Sequence, residues 1–190
     1  MKKLIPILLS LLFVTLNVYS QEQEQKSESK MVEFLGKNGT FMQREFYDLP
    51  SIGGSYNKIA SQVLIVTDLT SPDKKMGCLR LETFYSSSVS SDSYIGTLDS
   101  DELDACIQCL QNIQNNIIKT SPTVYTEVEY STRDGVELGA YWSSKKSTWI
   151  IYVKTKSYTA RSMSSVDEED LPLLITNLQS AKQLISEKTK

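Results

Sequence analysis

The stretch TLDSDELDACIQCLQNIQNNI at 97–117 returns in degenerate form as SVDEEDLPLLITNLQSAKQLI at 165–185. Superposing the two sets Asp99 on Asp167, Leu103 on Leu171, Ile107 on Ile175, Leu110 on Leu178 and Ile117 on Ile185, with Leu98 over Val166. Apolar intervals of three and four residues belong to one face of a helix. Asp99 is placed to cap the free amides of the first turn, Glu102 to reach back to the cap amide, and Leu98 to close against Leu103 as a hydrophobic staple. The chain therefore reads as two copies of one unit, over about 41–118 and about 123–188.

Working back from the first helix, 41–48 has strand character and 49–55 reads as a loop because it holds Pro50, Gly53 and Gly54. Residues 63–66 are apolar on both parities, as in a strand covered on both faces. In 78–85, Leu79 and Leu81 alternate with Arg80 and Glu82. A serine-rich loop at 86–93 and a short strand at 94–97 complete a β-β-β-β-α order.

The second copy repeats that order, and alternation fixes its register. Val128, Tyr130, Val136, Leu138, Ala140 and Trp142 share a face only if 133–135 is a three-residue loop with Gly135 in the left-handed position of a bulge. A four-residue loop at 144–147 turns Trp142 and Trp149 inward together. The outward set is then Tyr125, Glu127, Glu129, Glu137, Gly139, Tyr141, Ile150, Tyr152 and Lys154, with Glu137 opposite Lys154. A fourth strand is expected near 160–164. Pro172 moves the start of the last helix from Asp167 toward Asp170, where a proline is tolerated in the first turn. The expected fold is α+β: two repeats of a four-stranded antiparallel sheet followed by a helix, packed as one pseudo-twofold domain over 31–190.

Ahead of the repeats, Lys2 and Lys3 precede an apolar run at 4–14, and Val18, Tyr19 and Ser20 precede Gln21. This order reads as a signal peptide at 1–20, and the run is short of the ~20 residues of a membrane-spanning helix. Residues 21–30, QEQEQKSESK, contain nothing apolar and read as a disordered linker. Removing Lys2 and Lys3 from the 20 basic residues leaves 18 against 23 acidic ones, a net charge of −5. That balance argues against a nucleic-acid partner.

The chain has no histidine. Ser-His and Cys-His nucleophiles and histidine-containing zinc sites are thereby excluded. Cys106 and Cys109 form a CxxC two turns inside the first repeat helix, away from the helix N-terminus that would activate a thiolate. Cys106 aligns with Leu174, so it reads as core, and Cys78 points to the opposite face from the helix. The acidic runs at 99–104 and 167–170 lack the glycine-turned loop of a calcium site and fall at helix starts, where carboxylates are favourable. No metal or cofactor is expected.

Two resemblances follow from these motifs. The short leader running into Gln21-Glu22, with YIGTLDSDELDACIQCL at 94–110, VEYSTRDGVELGAYW at 128–142 and DLPLLITNLQSAKQLI at 170–185, resembles uncharacterised secreted proteins of Bacteroidetes-type bacteria. That implies export and a fold, and it carries no catalytic residues. The β-β-β-β-α order is also similar to the Whirly and positive-cofactor single-stranded-DNA-binding fold. Such binders need a basic surface with stacking aromatics, whereas Tyr125, Tyr141 and Tyr152 stand here among glutamates.

The functional expectation is an exported, non-enzymatic envelope module, periplasmic or secreted, whose partner is an envelope protein or glycan. Its binding face is the outer side of the second sheet: Tyr141, Tyr152, Ile150, Glu127, Glu129 and Gly139. A carboxylate-dependent hydrolase is the first alternative and needs Glu127, Glu129 or Glu137 in a cleft. Single-stranded nucleic-acid binding is the second and needs Lys145, Lys146, Lys154, Lys156 and Arg161 gathered in one groove.

Overall fold

The computed structural model describes residues 28–54 and 57–190. The expected leader and most of the linker lie outside the described residues. A short helix α1 (Lys30–Leu35) precedes strands β1 (Met42–Ile52), β2 (Ile59–Asp68), β3 (Lys75–Ser86) and β4 (Ser91–Asp99), then helix α2 (Leu103–Asn115). The second unit has β5 (Glu127–Ser131), β6 (Glu137–Ser143), β7 (Thr148–Lys154), β8 (Met163–Val166) and helix α3 (Leu171–Lys188). Each set of four strands forms an antiparallel sheet in sequence order. The α+β architecture of two sheets, each followed by a helix, is as the sequence predicts.

The second sheet keeps the predicted register. Val128 faces Ala140, Tyr130 faces Leu138, Trp142 faces Trp149, and Glu137 faces Lys154, whose ammonium lies 2.7 Å from the carboxylate. Gly135 has φ +81°, the left-handed turn the alternation required. In the first sheet the proline misleads: β1 runs on through Pro50 to Ile52 with a register shift after Leu49. An edge strand tolerates a proline at such an irregularity, because no neighbour needs its missing N–H.

The helices pack crosswise. α2 lies against β5 and β6 of the second sheet, whereas α3 lies against β1, β2 and β3 of the first, and the helices touch each other. Side chains mark the exchange: Cys109 Sγ on α2 is 3.8 Å from the Leu138 carbonyl, and Asn177 Nδ2 on α3 donates to the Pro50 carbonyl at 2.7 Å. The inner faces of both sheets and both helices share one core, including Leu79, Leu81, Leu103, Leu110, Leu138, Leu171 and Leu178, each fully buried. Gly77 on β3 makes room for α3, since a Cβ there would stand 2.7 Å from Ile185 Cγ2.

A second, smaller cluster covers the other side of the first sheet. Leu64, Val66 and Cys78 bury against Met31 and Phe34 of α1, so residues 63–66 are covered on both faces, as their composition predicts. Cys78 and Cys106 thus lie in different clusters, and all three cysteines are free thiols. Burial pushes the Cys78 thiol up to about 12 and raises that of Cys106 as well.

The capping box is half as expected. Glu102 Oε2 accepts the Asp99 amide at 3.1 Å, and Leu98 and Leu103 are both buried. The Asp99 carboxylate, however, caps a different helix: it accepts from Ser29 Oγ at 3.0 Å, the Lys30 amide at 2.7 Å and the Met31 amide at 3.0 Å. Ser29 and Lys30, read as linker from their polarity, therefore belong to the folded body, and Ser29 is 3% exposed. Arg133, from the β5–β6 turn, completes the hub by meeting Asp99 at 3.0 Å, Asp101, and Glu102 at 3.5 Å.

Crossed packing predicts coupling between β3 and α3. Gly77→Ala should cost roughly 1–3 kcal/mol by overpacking, and in an Ile185→Ala background urea-unfolding midpoints should show that cost reduced but not abolished, because Ile65 Cδ1 would still stand 2.8 Å from the added Cβ. The Arg133 hub predicts an acid limb. Its hydrogen bond holds the Asp101 carboxyl at about 2, below the ordinary 3.8. Because the folded value is depressed, this stabilisation is complete above about pH 4 and is lost as pH falls through about 2. Arg133→Met should flatten that part of the stability profile.

Candidate functional site

The outward face of the second sheet is a product of its register. Glu127 and Glu129 stand two residues apart on β5, opposite Tyr141 and Gly139 on β6, which in turn face Ile150 and Tyr152 on β7. The six expected site residues are therefore neighbours on one surface. Tyr125 and Tyr141 stack with ring centroids 6.4 Å apart and planes inclined by 29°, and Tyr152 follows at 6.1 Å from Tyr141 in a tilted arrangement. Tyr125, outside the expected site, is the most exposed of the three at 64%.

Alternation places Tyr152 on the outward face and leaves its exposure open; it is 2% exposed. The reason is Gly139: lacking a side chain, it lets the Tyr152 phenol lie across it, and a Cβ there would come within 2.8 Å of the hydroxyl. That hydroxyl then lies 2.9 Å from Glu127 Oε1 and 2.9 Å from Glu129 Oε2. A phenol has one proton to give, so the two carboxylates share it. Burial, followed by the two carboxylates, raises the Tyr152 phenol far above the ordinary range, so it stays protonated and bonded. Tyr125 Oη donates to Glu127 Oε2 at 2.8 Å, and Ser131 Oγ donates to Glu129 Oε1 at 3.1 Å. Glu127 and Glu129 thus brace the tyrosine column and retain outward lone pairs.

Beside the column lies a groove of about 520 Å³. Tyr141, Ile150 and Tyr152 form part of its wall, with Met163, Lys146 and Trp149. It exists because β8 is short: its last residue, Val166, stands opposite Ile151, so residues 148–150 of β7 pair with β6 on one side and, among the described residues, have no strand on the other. Sequence alternation identified the wall. It gave no sign of the groove, which depends on where β8 stops and the chain turns into the acidic run at 167–170.

The residues required by the alternatives are placed differently. Glu127, Glu129 and Glu137 are not among those lining this groove. Of the basic residues, Lys154 pairs with Glu137, Lys156 with Asp134 at 3.2 Å and Arg161 with Asp92 at 3.7 Å. Each of these three cations thus has its own carboxylate, while Lys146 lines the groove. Among the described residues no helix is long and apolar enough to cross a membrane. No family model, curated protein or solved structure matches the chain. The chemistry of the face has to be read from its own geometry.

The different surroundings of the two tyrosines predict different responses. Tyr152→Ala should cost roughly 3 kcal/mol through the void it leaves, and Tyr152→Phe about 1 kcal/mol through loss of the shared donor. Tyr141→Ala, at a half-exposed position, should cost about 1 kcal/mol or less. Denaturant midpoints of the three variants check the order.

Proposed function

We propose that the protein is an exported, non-enzymatic binding module of the cell envelope, and that its ligand is a glycan held on the outer face of the second sheet. The observation that carries this reading is the stack of Tyr141, on β6, with Tyr125, just ahead of β5, beside an open groove. Aromatic faces take up the C–H faces of sugar rings, while carboxylates accept from sugar hydroxyls. Glu127 and Glu129 are exposed acceptors anchored from below by Tyr152, so they offer fixed lone pairs with little ordering cost on binding. The leader-like segment at 1–20 and the motif resemblance to secreted Bacteroidetes-type proteins support export.

Trp149 in the groove wall supplies a reporter. A soluble β-1,4-linked N-acetylglucosamine oligomer and an acidic polysaccharide fragment should be titrated against intrinsic fluorescence. At least one is expected to give a saturable change that Tyr141→Ala weakens about tenfold or more while lowering the melting temperature by no more than about 4 °C. A flat response to both probes, or one indifferent to Tyr141→Ala, would remove the glycan reading.

A further inference from the structure

We infer that the chain pairs with a second copy of itself through the free edge of β1, in an antiparallel register centred on Phe46. β1 lies at the end of the first sheet, with β2 on one side and, among the described residues, no strand on the other. The Leu69 amide donates to the Phe41 carbonyl at 2.7 Å, and Met42 faces Asp68 in the same register. Phe41 and every second residue after it therefore bond to β2, which leaves the N–H and C=O groups of Arg44, Phe46 and Asp48 directed outward from the sheet. These three residues are exposed, Phe46 at 52%. Edge strands are ordinarily blunted by charges or proline, and here Pro50 guards the far end, lacking an N–H and giving its carbonyl to Asn177. Before it, the exposed charges Arg44 and Asp48 are of opposite sign, so they oppose most pairings but not one that sets them against each other.

The sequence of this stretch before Pro50 is self-complementary. A twofold axis through Phe46 sets Phe46 against its own copy and Arg44 against Asp48 of the other chain, twice over. All these side chains lie on one face, because the positions differ by two. Shifting the axis by one residue destroys the match: Arg44 then faces either Phe46 or Pro50. In the centred register about six backbone hydrogen bonds form, two between the Phe46 residues and four between Arg44 and Asp48. The ladder stops where Met42 would meet Pro50. Arg44 has no carboxylate partner within its own chain among the described residues, and pairing supplies one. The result is a continuous sheet across two molecules, formed at a surface separate from the tyrosine face.

Sedimentation velocity on the purified chain should show a dimer. Arg44→Asp places two like-charged pairs across the axis and should weaken it by about tenfold. The combination Arg44→Asp with Asp48→Arg restores opposite charges and should recover most of the affinity. Because Asp48 also accepts from Gln62 at 2.6 Å, near-ultraviolet circular dichroism should confirm that the doubly substituted chain is folded. Phe46→Cys gives an independent reading, since facing residues of a hydrogen-bonded antiparallel pair bring their Cα atoms to about 5.5 Å, within disulfide range. Mild oxidation should link that variant into a covalent dimer and leave the unsubstituted chain unlinked. A monomer at all accessible concentrations overturns the inference and leaves the edge to an extended segment of another protein. A dimer unaffected by Arg44→Asp, or a failure of Phe46→Cys to cross-link, also overturns it, because association would then use another surface.

Discussion

The exchange of helices between the two sheets is the constraint on which the rest of the structure depends. Each repeat makes a sheet with an apolar face toward the shared core and a helix with one apolar stripe, and neither can be left in water. Here α2 closes the second sheet and α3 closes the first. The halves are thereby interdependent, because removing either helix uncovers the sheet of the other repeat. One core results where two small ones would each have had a poor ratio of buried to exposed surface. The closeness of Ile185 to Gly77 shows how tightly the exchange is fitted.

Once the helices cross, the chain needs fixed points where the repeats meet, and polar groups provide them. Thr83 Oγ1 on β3 lies 2.8 Å from Thr155 Oγ1 and donates to the Ser162 carbonyl at 2.8 Å, with both threonines fully buried. Arg133, on a turn of the second sheet, reaches the carboxylates at the start of α2. Buried polar contacts of this kind contribute modest net stability but penalise any arrangement that leaves them unpaired. They therefore fix the position of one sheet against the other, and so the direction in which the tyrosine face looks.

Much of this was legible in the sequence wherever a residue's role was decided by its near neighbours. The register of β5, β6 and β7 followed from parity and one glycine, because a slip of one residue would turn Trp142 and Leu138 into solvent. Pro172 correctly moved the start of α3 to Leu171. What escaped notice was set by distant chain segments. Asp99 looked like the cap of the helix beside it, but three donors from residues 29–31 reach it first. Ser29 looked like linker because its burial depends on that carboxylate. Pro50 looked like a loop residue because nothing local reveals that β1 is an edge. The crossing itself has no sequence signal, since two apolar stripes of similar width fit either sheet.

The same distinction separates the legible and illegible parts of the candidate site. Parity alone placed Glu127, Glu129, Gly139, Tyr141, Ile150 and Tyr152 on one surface. It could not say which tyrosine would be free, because that depends on a missing side chain across the strand: Gly139 lets Tyr152 lie down and bind two carboxylates, while Tyr141 and Tyr125 stand above it. The buried phenol therefore organises the face without being its contact surface. Its single proton draws Glu127 and Glu129 together, and their position in turn fixes Tyr125 through Glu127. The rings and acceptors of this face have a geometry settled when the chain folds, so the binding proposed for it would carry a small ordering cost.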